Sequence, residues 1–77
     1  MNKPRRKRLE EAMSMLQDAL AIIEEVRDEE QEAFDNLPES FQYTERGEQM
    51  EEYISTLEEQ MDYISDAVGA LDEIVNS

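Results

Sequence analysis

The chain is predicted to be all-α: a two-helix antiparallel coiled-coil hairpin that dimerises into a four-helix bundle. Three observations predict it. The first is an apolar 4-3 repeat in each half. In the second half it reads Met50, Ile54, Leu57, Met61, Ile64, Val68, Leu71, Val75, all apolar. In the first half it reads Leu9, Met13, Leu16, Leu20, Ile23, Arg27, Glu30, Phe34, Leu37, apolar except at Arg27 and Glu30. A mean spacing of 3.5 residues keeps one face of an α-helix turned toward a partner helix. The second observation is a single break between halves of similar length. The third is size: 77 residues with no cysteine and no histidine. A core this small needs reinforcement, and without disulfides or the usual zinc ligands, oligomerisation is the route left.

The first helix is expected over about residues 4–35. Pro4 is tolerated in a first turn, and Asn2 can cap it. The segment Asn36-Leu37-Pro38-Glu39-Ser40-Phe41-Gln42-Tyr43-Thr44 ends that helix. Pro38 lacks an amide hydrogen and biases Leu37 away from helical geometry. Asn36 could cap a single turn at 38–41. Thr44 is the expected N-cap of the second helix, about residues 45–76, with Glu45 and Glu48 favourable in its first turn. Each helix would be ~48 Å long at 1.5 Å per residue. Equal lengths and a short connector imply one antiparallel hairpin spanning residues 1–77. Folding it about residue 40 pairs Ile23 with Leu57, Leu16 with Ile64 and Leu9 with Leu71. Gly47 and Gly69 are weak spots for helix propensity.

The hairpin seam does not use all the apolar residues. Beside it run Ala12, Met15, Ala19, Ile22, Val26 and Ala33 in the first helix, and Tyr53, Tyr63, Ala67, Ala70 and Ile74 in the second. Seam and flank together cover roughly 160° of each helix, whereas a two-helix seam needs less. One flat side of the hairpin is then apolar. Met15, Ala19, Ile22, Val26, Tyr53, Tyr63, Ala67 and Ile74 are the expected self-association face. The opposite positions are acidic, including Glu10, Glu11, Asp18, Glu24, Glu25, Glu32, Glu51, Glu52, Glu58 and Glu59. At the interruption, Arg27 and Glu30 could pair at i, i+3. They form either a polar layer that fixes register, or a looser loop end that opens for a partner. The open end is expected to be the better zipped.

Charge is distributed very unevenly. The net charge is −14, yet Lys3, Arg5, Arg6, Lys7 and Arg8 crowd the start. From Leu9 onward all 21 acids face only Arg27 and Arg46. Such a body repels phosphates and suits a basic protein surface. Glu24, Glu25, Asp28, Glu29, Glu32, Glu48, Glu51 and Glu52 are the candidate partner-binding acids, brought together at the loop end. They either solvate a face or mimic a phosphate backbone. Leu37, Phe41 and Tyr43 are expected to fold back with Phe34 and plug the bundle end; the alternative is an exposed docking knob. The basic start opposes the helix dipole, and Asp72, Glu73 and the negative C-terminal end of the second helix are its expected compensation.

Several classes lose support. No apolar run approaches the ~18 residues of a membrane span. The basic start resembles a signal-peptide n-region, but Glu10, Glu11 and Asp18 follow it, so no apolar h-region exists. A soluble, cytoplasmic protein without a membrane partner is expected. Catalytic, cofactor and metal sites are all expected to be absent. There is no histidine, no cysteine, no glycine-rich phosphate loop and no nucleophile elbow. Acidic loops lack the calcium-hand spacing, and a di-iron bundle would want Glu-x-x-His. Rop-like RNA-binding hairpins share the bundle plan but use a basic face that is missing here, so nucleic acid is disfavoured as a partner.

The stretch from Glu25 to Ser40, followed by Tyr43-Thr44-Glu45-Arg46-Gly47-Glu48, resembles small acidic proteins of phages and prophages of Gram-positive bacteria. The resemblance covers about half the chain and carries no activity onto named residues. It implies a host-cell cytoplasmic setting and a role in phage–host conflict. The expected function is a non-enzymatic, self-associating module. Its acidic surface, acting as a mimic of nucleic acid or simply as an acidic patch, would block a basic host defence or nucleic-acid-handling protein. The alternatives are a purely structural assembly module and, more weakly, an RNA or DNA binder led by the basic arm.

Overall fold

A computed structural model describes all residues, Met1 to Ser77. Helix α1 spans Lys3–Asp35, a single turn α2 spans Glu39–Gln42, and helix α3 spans Glu45–Val75. The two long helices pack antiparallel into a rod measuring 58 × 14 × 13 Å. The all-α hairpin expected from the 4-3 repeat is therefore the observed fold.

Local chemistry sets the ends. Asn2 caps α1: its Oδ1 accepts the Arg5 amide at 3.0 Å. Pro4 sits in the first turn, where its missing amide costs nothing. Asn36 does not cap the short turn; it closes α1, its amide donating to the Glu32 carbonyl at 3.0 Å. The turn begins one residue later than expected, behind Pro38. Proline's fixed φ, here −53°, makes it a good entry residue, and its carbonyl accepts the Phe41 amide at 2.8 Å. Thr44 occupies the N-cap position of α3 without capping through its side chain. Its hydroxyl donates instead to the Phe41 carbonyl at 2.5 Å, because α2 brings that carbonyl within reach.

Two arginines of α1 reach across to α3. Arg27 Nη1 lies 3.8 Å from Glu58 Oε1, and Arg6 Nη2 donates to the Ser77 main-chain oxygen at 2.8 Å. Both partners lie about one helical turn further along α3 than a fold centred on residue 40 places them.

Every seam residue of both repeats is buried or partly buried. The buried residues are Gly47, Met50 and Ile54, all in the first turns of α3. The expectation of a loose loop end is thus reversed. There α2 folds back onto α3 and adds a third layer, whereas the open end has only two helices to cover each side chain. Gly47 makes this approach possible: a Cβ there would overlap the Gln42 main chain, with Gln42 Cα only 2.8 Å away. Gly47 also continues the 4-3 seam one step before Met50, which is why it points inward.

Candidate protein interface

Two surfaces survive once the seam is closed. The first is apolar. Met15, Ile22, Val26, Tyr53, Tyr63 and Ile74 stay exposed, from 40% at Ile74 to 71% at Met15. Ala19 and Ala67 are exposed as well. Each lies one or more positions off the seam, on the side that neither helix can turn toward its partner. Near the loop end, Val26, Glu30, Tyr53, Thr56 and Leu57 line a shallow depression. Near the open end, Met1, Arg5, Arg8, Leu9 and Ala12 line another. The apolar side therefore carries cations at one end and a carboxylate at the other.

Tyr63 has a perturbed ionisation equilibrium. Its hydroxyl donates to Glu59 Oε1 at 3.0 Å. That hydrogen bond, then the Glu59 negative charge, then desolvation hold its pKa above the ordinary 10.0.

The second surface is acidic. Glu24, Glu25, Asp28, Glu29, Glu32, Glu48, Glu51 and Glu52 are all exposed, in the loop half of the rod. Helical phase does not place them on one face. At 100° per residue, Glu24, Asp28 and Glu51 lie on the back, away from the apolar side, while Glu29 lies beside it and the others fall between. Asp28 is engaged by Arg27, Nε to Oδ1 at 2.7 Å. The expected Arg27–Glu30 pair does not form. The guanidinium turns to Asp28 and toward Glu58 across the seam, which leaves Glu30 partly buried without an ion pair.

The loop residues divide. Leu37 is partly buried beside the hairpin end, but Phe41 and Tyr43 are exposed, so the expected three-residue plug is incomplete. Gln42 closes the end instead: its side-chain amide donates to the Leu37 carbonyl at 3.2 Å and to the Phe34 carbonyl at 3.4 Å. A polar residue doing this leaves no apolar periodicity by which to find it. Gly47 could have been found, because it falls in phase with the seam.

Of the compensation expected for the basic start, the C-terminal end of α3 meets it, and Asp72 and Glu73 form no ion pair with it. Arg6 reaches the Ser77 main chain, while Asp72 accepts from Asn76 Nδ2 at 2.9 Å. The ion pairs with Asp or Glu are both made by Arg27, so Lys3, Arg5, Arg6, Lys7 and Arg8 have no acidic side-chain partner in their own chain.

No group of three or more carboxylates is placed to hold a metal ion, and no helix is long and apolar enough to cross a membrane. No family model, curated protein or solved structure matches the chain.

Proposed function

We propose that this protein is a non-enzymatic, self-associating binding module: two hairpins pair through their apolar sides, and the acidic outer surface engages a basic protein. One observation carries the reading. A hairpin that has already closed its seam still exposes six large apolar side chains along one side. A rod face of 58 × 14 Å offers about the 800 Å² per partner of a standard protein interface. Leaving such a face in water is costly, and a second copy supplies a surface of matching length and chemistry. The absence of histidine and cysteine supports a non-catalytic role.

Light scattering tests the association. The expected species has twice the 9.0 kDa chain mass. Ile22→Glu and Tyr63→Glu are expected to give helical monomers, since both residues are exposed in the hairpin and absent from its seam. A monomeric wild-type chain at high concentration would refute the bundle.

The acidic surface gives the reading its target class. The likeness of the central segment to small acidic phage proteins supports a host defence or nucleic-acid-handling protein, its phosphate groove occupied by carboxylates. Reversing Glu24, Glu25, Glu29, Glu51 and Glu52 should abolish capture of basic proteins from a bacterial lysate while circular dichroism stays helical. Unchanged capture would reduce these acids to a solubilising coat.

A further inference from the structure

We infer that the two copies pair with their loops at opposite ends, so that the basic start of each hairpin lies over the acidic loop end of the other. The inference rests on the proposed self-association and fixes its topology.

The apolar side has charged ends of opposite sign. At the open end, Arg5 and Arg8 sit with Leu9 and Ala12 around one depression. At the loop end, Glu30 sits with Val26 and Tyr53 around the other. Glu29 is on the same flank, one residue away, and is exposed. None of these four charges is paired within the chain: the ion pairs present belong to Arg27.

Two closed arrangements can bury this face against itself. In one, the two-fold axis runs along the rod. Both loop ends then come together, and so do both basic starts. In the other, the axis crosses the rod at its middle. An axis through α1 near Ala19, halfway between Arg8 and Glu30, lays each Arg8 level with the second copy's Glu30. Arg5 and Glu29 then lie within about a turn of each other. The same axis sets Tyr53 level with Ile74, because the two lie near opposite ends of the exposed stripe on α3.

Magnitude decides between them. Each chain carries −14, so two copies repel at long range in either arrangement. At physiological ionic strength that repulsion is screened over ~8 Å, and charges at the interface dominate. Only the crossed arrangement turns those local interactions attractive. It also gives Arg5 and Arg8 the carboxylate partners they lack.

The chain has no cysteine, so a single label can be placed cleanly. Ser40 is exposed at the loop tip. A spin label on Ser40→Cys, read by pulsed dipolar spectroscopy on the full chain, separates the arrangements. Opposite loops give a distance approaching the 58 Å rod length. Loops at one end give about 20 Å or less, given helix spacings near 10 Å. A short distance overturns the crossed topology but leaves self-association standing. No dipolar coupling, with a monomer in light scattering, overturns both.

A charge swap gives a second readout. Arg5→Glu with Arg8→Glu should weaken the dimer at least tenfold without loss of helicity. Adding Glu29→Arg and Glu30→Arg in the same chain should restore most of the affinity. If the four-residue swap binds no better than the first pair of changes, the two ends do not meet.

Discussion

The two ends of this hairpin are built from the same repeat and differ in how well they are covered. At the loop end Met50 and Ile54 are 8% and 7% exposed, and Gly47 is buried with them. At the open end Leu9, Met13, Val68, Leu71 and Val75 occupy equivalent seam positions, and none is fully buried. Residue type does not explain the difference, since the open end is the more uniformly apolar. Layer number does. A turn of four residues, α2, closes the third side at the loop, and nothing in the single chain does so at the other end. An apolar repeat tells where side chains point; the neighbours supplied by connectors decide how far they are buried.

The largest expected effect compares two isoleucines on the same helix and seam. Ile54→Ala should cost about 2–5 kcal/mol, the range for a buried aliphatic truncation. Ile64→Ala should cost about half as much, because Ile64 is only partly buried. Urea unfolding followed by circular dichroism, at one fixed protein concentration, reads both. Equal costs would mean that the open half gains its cover from another chain.

The two glycines give the next effect, with opposite signs. Alanine favours helix over glycine by about 1 kcal/mol. Gly69 has nothing within 4 Å of an added Cβ, so Gly69→Ala should stabilise by up to about that amount. Gly47→Ala drives the new methyl into the Gln42 main chain, which cannot rotate away. It should destabilise by roughly 1–3 kcal/mol despite the better propensity. Melting temperatures of the two variants should move in opposite directions.

Arg27 comes third. Its partners Asp28 and Glu58 are 62% and 53% exposed in their side chains, so these ion pairs are worth less than about 1 kcal/mol in water. Arg27→Leu removes one of the two interruptions of the apolar seam and should raise stability by up to about 1 kcal/mol in the same unfolding assay. A loss would show that the Asp28 and Glu58 contacts hold the register more strongly than apolar burial would.

The architecture was legible because periodicity, a proline-marked break and two matched lengths agree. The exposed flank was legible too, since Met15, Ile22 and Tyr63 fall off the seam by simple helical phase. The connector was legible only in part: a single turn was expected at 38–41 and forms over Glu39–Gln42, but the inward role of Gln42 carries no apolar pattern. The tight packing over Gly47 follows from that turn. Arg27 was legible as an interruption but not in its choice of partner. Its long side chain can reach several carboxylates of nearly equal attraction, and spacing alone does not rank them.

The smallest effect lies between the two ends, at Tyr63. Its phenol donates to Glu59, which favours the protonated form and raises its pKa above 10.0. The folded chain therefore holds this proton more tightly than the unfolded one. The associated stability is complete below pH 10 and is lost as pH rises through the folded value. Because Tyr63 is well exposed, the effect belongs to titration rather than to melting. With Tyr43 and Tyr53 replaced by phenylalanine, tyrosinate absorbance reports Tyr63 alone. Glu59→Ala should return its midpoint toward 10.0, since the first two causes of the shift disappear together. Protein concentration adds a second axis to the same titration. If the apolar sides of two hairpins close over Tyr63, desolvation pushes its pKa further up as the dimer forms. A midpoint that climbs with concentration would place this tyrosine inside the interface. A midpoint independent of concentration would leave it in water and weaken the case for the whole apolar side.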